Sequence, residues 1–243
     1  MWRYIHRLAS PQYFYDISGK WIPWLTAMFV ALFCYGLYGG LVQAPIDYQQ
    51  KDAYRIIFVH VPSAWMSLFV WVFMAGNAAA SIIWRTKLSD ILMQTSAPAG
   101  AVFTFLALVT GSLWGKPMWG TYWDWDPRLT TELILLFMYL AFIALYSAIE
   151  DKQLANRIAA LFAIVGLVNV FLVHYSVKLN SLHQGVTVVR PDGPKMTAEM
   201  LIPLLIMAIA FKLYFMINVL MRARCAMIER EKNTRWVQQL IDQ

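Results

Sequence analysis

Six stretches of the chain are apolar on every face, at roughly 22–43, 61–84, 95–113, 129–149, 157–176 and 199–221. They show neither the alternation of a half-buried strand nor the one-sided stripe of a soluble amphipathic helix. A bilayer crossing needs about 20 mostly apolar residues, and a segment in hydrocarbon must satisfy its backbone hydrogen bonds within itself. The pattern predicts an all-α integral membrane protein with six transmembrane helices. The run beginning at Ile22 is too long for a signal-peptide core and no small-residue cleavage pattern follows it, so it is expected to stay as the first span.

The polar positions set the topology. With an even number of spans both termini share a side. Twelve Lys and Arg residues fall on that side, against seven on the other: Lys51, Arg55, Lys116, Arg128, Lys178, Arg190 and Lys195. The excess places both termini in the cytoplasm. The connections 44–60, 114–128 and 177–198 then face outward. They are longer than the cytoplasmic connections 85–94 and 150–156, and long connections in a compact protein tend to carry function. Residues 1–21, with Arg3, Arg7 and Lys20 among aromatics, are expected to form an amphipathic cytoplasmic segment. Residues 222–243 form a basic cytoplasmic tail, and the whole of 1–243 is read as one membrane domain.

Composition agrees and excludes other classes. The chain is 60% hydrophobic and 14% charged, outside the range of a soluble domain. Its net charge of +6 lies on the flanks of apolar runs, which argues against nucleic-acid binding. Cys34 lies inside the first run and Cys225 in the tail, so no disulfide or CxxC redox pair is expected. No CxxCH haem-attachment sequence and no GxxxxGK[ST] phosphate loop occurs, so any ATP use belongs to a partner.

One connection stands apart. Trp114, Trp119, Trp123 and Trp125 crowd into residues 114–126, with Gly and Pro that speak against regular secondary structure there. Trp123 and Trp125 alternate with Asp124 and Asp126, so an extended backbone would put indoles on one side and carboxylates on the other. Such a surface suits a flat apolar ligand with a polar edge. Interfacial anchoring, common to membrane proteins, is the other reading of these indoles. Asp126 before Pro127 also suits an N-cap with Pro in the first helical position. Glu132, about two turns further in, is expected to face the bundle interior with Lys116 or Arg128 as partner.

Of the four histidines, His6 reads as a surface residue. His60 ends the first outward connection, and His183 lies in the third. His174, near the outer end of span five, is open between a supporting hydrogen-bond partner and a buried polar group. Alternation of the spans brings His60, the Trp-rich stretch and His183 to one membrane face. Two imidazoles beside an indole surface could hold a haem, whose iron takes axial nitrogen and whose ring stacks on aromatics. Zinc fits less well for want of a third ligand, and no Ser or Cys stands in a nucleophile motif. Arg55 and Arg128 on the same face are candidates for the two haem propionates, or caps of span ends at the headgroups.

The stretch Trp119-Gly-Thr-Tyr-Trp-Asp-Trp-Asp126 resembles the tryptophan-rich WWD signature of membrane proteins of cytochrome c maturation. Within that group the chain resembles the haem exporter protein C (CcmC) family along nearly its whole length. The likeness includes His60-Val-Pro62, Gly111-Ser-Leu-Trp-Gly-Lys-Pro-Met-Trp-Gly120, Arg128-Leu-Thr130, His174-Tyr-Ser176 and Leu182-His-Gln-Gly185. It is weakest over 186–195. The resemblance implies a bacterial inner-membrane protein whose functional loops are periplasmic. There it would present a transient, non-covalent b-type haem to a periplasmic haem chaperone, without being an enzyme. His60 and His183 would be the axial ligands and residues 114–126 the platform. A small single-span subunit and a two-component ABC transporter are the other implied partners. Two alternative readings are a haem conduit through the bundle, against which stands the concentration of polar and aromatic residues at the outer end, with Asn77, Asn169 and Glu132 the main polar groups elsewhere, and a structural subunit that only docks the transporter.

Overall fold

The computed structural model describes residues 10–179 and 196–242. Among these residues there is no β-strand, and six helices or helix pairs are long and apolar enough to cross a membrane. In chain order the helices are α1 (Pro11–Tyr38), α2 (Ile57–Trp84), α3 (Lys87–Trp119), α4 (Pro127–Ala148), α5 (Lys152–Val165), α6 (Leu167–Leu179), α7 (Ala198–Arg230) and the short α8 (Arg235–Ile241). A π-helical turn, Gly39–Gln43, extends α1, and a 3-10 turn, Asp52–Ile56, leads into α2.

The helices overrun the apolar runs. Residues 11–21 continue directly into the first span and do not make a separate surface element. The cause is local and tertiary together. Pro11 occupies the first turn, where a missing N–H costs nothing. Further along, the Arg224 guanidinium of α7 lies 3.6 Å from the Tyr15 ring centroid and donates to the Tyr15 carbonyl and the Ser18 hydroxyl. At the other end of the bundle α3 runs on to Trp119, so Trp114 and Trp119 are helical, contrary to the irregular backbone expected of 114–126. Pro117 falls in the last turn, where it removes only one ladder bond, and the helix stops at Gly120, whose φ of +80° few other residues accept.

The fifth span is broken at Gly166 into α5 and α6. Trp71 of α2 lies against the break: a Cβ on Gly166 would sit 2.4 Å from its Cζ2. Its indole N–H donates to the Ala163 carbonyl at 3.0 Å, and beyond the break Asn169 donates to the Thr131 carbonyl at 3.1 Å. The first of these bonds serves a carbonyl beside the break, as a break in lipid requires, and the second ties α6 to α4.

The core is dense around Trp71, Tyr139, Phe58, Met66 and Leu204, all fully buried. Tyr139 stacks edge-on to Trp71 at 4.8 Å and donates to the Ser67 carbonyl at 2.7 Å. α1 lies at the edge, packed mainly on α7, with Gly36 against Met207 and Gly39 against Pro203. Small residues let helices approach closely where lipid offers no hydrophobic drive between them. At the terminal end Lys87 pairs with Glu231 at 3.0 Å and Arg230 with Asp90 at 3.4 Å, fastening the tail to α3.

Candidate functional site

At the end of the bundle away from the termini, the starts of α2 and α4 meet the last turns of α1 and α3. Residues 44–51 are held by their own hydrogen bonds. Asp47 accepts from the backbone of Gln49 and Gln50 at 2.9 and 2.7 Å, and Tyr54 donates to the Pro45 carbonyl at 2.6 Å. Arg55 belongs to this frame: it pairs with Asp52 at 2.9 Å and donates to the Gly40 carbonyl at 3.0 Å. A propionate would have to compete with both contacts.

His60, in the first turn of α2, faces α3. Its Nδ1 lies 3.0 Å from the Thr110 hydroxyl, and its ring meets the Trp114 ring edge-on at 5.6 Å. Gly111 is what lets the ring fit, since a Cβ there would lie 3.0 Å from His60 Cε1. Trp114 is itself held by the first connection, donating to the Gln50 side-chain oxygen at 3.0 Å. Thr110 could not be picked from the sequence, because only the pairing of α2 with α3 puts it beside the imidazole.

The platform proper is 120–126. Thr121 shapes it, donating to the Trp123 carbonyl at 2.9 Å and accepting from its N–H at 3.3 Å. Trp123 and Trp125 stand edge-to-face with ring centres 5.5 Å apart. Trp125 is 73% exposed, and Tyr122 and Trp119 are also open to the surroundings. Lys116 donates to the Gly120 carbonyl at 3.0 Å and its ammonium lies 5.2 Å from the Tyr122 ring centre, so it is not the partner of Glu132. The two carboxylates separate. Asp124 is exposed, while Asp126 is 3% exposed and accepts from the Leu129 N–H at 2.7 Å as the N-cap of α4. The single polar edge expected from alternation is therefore not formed, because the helix start claims one of its members.

Gly111 joins the two halves of the site. It lies against the His60 ring and also lines a cavity of about 10 Å³ with Trp119, Thr121, Trp123, Asp126 and Leu129. That is room for about one water and far too little for a porphyrin. The Trp123 indole N–H is buried near this cavity with no hydrogen-bond partner. A haem is consistent with this donor set only as a ligand lying on the open indole face, with an imidazole at its margin.

Below the platform, Glu132 is buried with Ser67 and, one turn along its own helix, Arg128 as its polar neighbours; one carboxylate oxygen has no partner. His174 is exposed on α6, edge-on to Tyr175 at 5.3 Å, so it is not a polar group buried in the bundle. Lys212, midway along α7, was not among the polar groups expected within the spans. It lies on the outside of the bundle with its ammonium 5.9 Å from the Phe69 ring centre. His183 and His6 lie outside the described residues, as does 186–195.

The chain matches the family model described as heme exporter protein C over residues 4–238. It is similar to the protein of that name from Escherichia coli K12, 44% identical over 243 residues that cover 99% of this chain and 98% of the relative. The Bradyrhizobium diazoefficiens protein of the same name is 48% identical over 86% of this chain and 79% of its own length. The one from Paracoccus denitrificans is 38% identical over 92% of each.

Proposed function

The chain belongs to the heme exporter protein C family, and on that premise we propose that it binds haem at the periplasmic face of the bacterial inner membrane and hands it to a periplasmic haem chaperone for c-type cytochrome biogenesis. In this reading His60 and His183 supply the axial nitrogens of a transient, non-covalent b-type haem. The indoles of Trp114, Trp119, Trp123 and Trp125 carry the porphyrin face, and Arg55 and Arg128 meet the propionates. The protein positions its cargo and makes no bond itself. A small single-span subunit and a two-component ABC transporter complete the assembly.

The observation that carries the reading is the joining of His60 to an open indole face through Gly111. An open face suits delivery, since a ligand that must leave is poorly served by an enclosed pocket. A conduit through the bundle is less well supported. The described interior is close-packed around Trp71 and Tyr139, and the mid-span cation Lys212 lies outside it.

The test is an absorption spectrum of the detergent-purified protein. A Soret band that weakens in both His60→Ala and His183→Ala is expected, and unchanged spectra in both variants would remove the ligand assignment. Reconstituted vesicles separate delivery from conduction: haem crossing with this chain alone would favour the conduit.

A further inference from the structure

We infer that Thr110 is a positioning residue for the iron ligand, fixing the His60 imidazole as the Nδ1–H tautomer so that Nε2 is the nitrogen offered to the metal. The inference rests on the axial-ligand reading of His60 given above, and it follows from counting hydrogens. A threonine hydroxyl has one hydrogen. At Thr110 that hydrogen goes back along α3, to the Leu106 carbonyl at 2.6 Å, with the Ala107 carbonyl at 3.3 Å as a weaker second acceptor. Carbonyl oxygens only accept. Toward His60 the hydroxyl can therefore present only a lone pair, and the Nδ1 atom 3.0 Å away must be the donor. In a neutral imidazole the other nitrogen then carries the basic lone pair.

Three contacts fix the ring as well as its proton. Thr110 holds Nδ1, the Trp114 ring meets the imidazole at an interplanar angle of 70°, and Gly111 leaves the space for Cε1. Thr110 and Gly111 are consecutive on α3 and Trp114 follows one turn later, so a single helix face sets both the plane and the tautomer. Because the hydroxyl is already donating to a carbonyl, its oxygen is polarised into a better acceptor. An imidazole whose second N–H meets such an oxygen is a more basic metal ligand, and removing a partner of this kind typically lowers metal affinity about 10–100-fold.

Two measurements test this on the full chain. In the haem-free protein with ¹⁵N-labelled histidine, the His60 resonances should show a protonated Nδ1 and an unprotonated Nε2; the opposite tautomer would overturn the inference. In a haem titration followed at the Soret band, Thr110→Val keeps the shape and loses the oxygen. It should bind about 10–100-fold more weakly and shift the midpoint potential upward, because a less basic ligand stabilises ferric iron less. Thr110→Ser should restore both wild-type values. Wild-type affinity and potential in Thr110→Val, or a serine variant as weak as the valine one, would overturn the role of the hydroxyl. A His60→Ala variant that binds haem like wild type would instead sink the ligand reading, and the nitrogen spectrum would still decide the tautomer.

Discussion

Trp114 of α3 donates its indole N–H to the Gln50 side-chain oxygen at 3.0 Å, and this bond joins the connection before α2 to the ring that borders His60. Gln50 is in turn held by Asp47, so the indole is oriented by a loop with its own internal frame. Gln50→Leu and Trp114→Phe are each expected to weaken haem retention. Because both remove the same bond, the double variant should be little worse than the poorer single one, with a coupling of about 0.5–1.5 kcal/mol. Soret titrations of the four proteins measure it, and additive losses would show that the bond does not orient the ring.

Gly111 and Gly76 make a matched pair of glycine-to-alanine substitutions in helices. At Gly111 a methyl would lie 3.0 Å from His60 Cε1, while at Gly76 it would meet nothing within 4 Å. Gly76→Ala should raise thermal stability by about 0.5–1 kcal/mol through backbone entropy alone and leave the haem spectrum unchanged. Gly111→Ala receives the same entropic gain but pushes the imidazole by a few tenths of an ångström. It should lose haem affinity without a matching loss of melting temperature. Equal spectra for the two variants would mean that the fit at Gly111 is not what places the ring.

How much of this was legible in the sequence depends on the range of the force concerned. The six spans could be read because hydrophobicity is a property of each run by itself. The cap at Asp126 was also legible, since Asp-Pro ahead of an apolar run is a local signal. The break at Gly166 was not. Residues 157–176 are evenly apolar, and the break is supported by Trp71, 92 residues from the carbonyl that it satisfies. The helical state of Trp114 and Trp119 was hidden by Pro117 and the glycines, which mark turns on average but do not prevent a last helical turn. Arg55 and Asp126 were picked for charge in the right region. What charge could not show was that Arg55 already has a structural partner, whereas the capping role of Asp126 was read from the sequence.

Asp126 allows a cap to be separated from a ligand-binding role. It is 3% exposed and its carboxylate accepts from the Leu129 N–H at 2.7 Å. Asp126→Ala should destabilise the protein by about 0.5–2 kcal/mol, and Asp126→Asn or Asp126→Ser should recover most of that, since all three side chains cap well. If capping is its whole contribution, the asparagine variant will bind haem as wild type does. A stable asparagine variant with a changed haem spectrum would show that the charge itself acts on the ligand.

The clasp at the terminal end should open with acid. Glu231, 9% exposed, ends α7 and accepts from Lys87 at 3.0 Å and from the Trp236 indole at 2.8 Å. Burial pushes its carboxyl up, but the hydrogen bonds from Trp236 and Lys87 and the charges of Lys87 and Arg230 together outweigh burial and hold it below its ordinary value of 4.5. A carboxyl whose folded value is depressed binds protons less readily than the unfolded chain. Its contribution is therefore fully present above pH 4.5 and is lost as the pH falls through the lower folded value. Partly exposed ion pairs are worth about 1 kcal/mol or less, so the tail should loosen in acid without the bundle unfolding. Hydrogen exchange of the α8 amides, corrected for intrinsic rates, should quicken below pH 4.5 in wild type. In Glu231→Gln it should be faster at neutral pH and nearly flat, which separates Glu231 from Asp90, the carboxylate paired with Arg230 beside it. The same acid response in both proteins would assign the opening to Asp90 and leave Glu231 without the part given to it here.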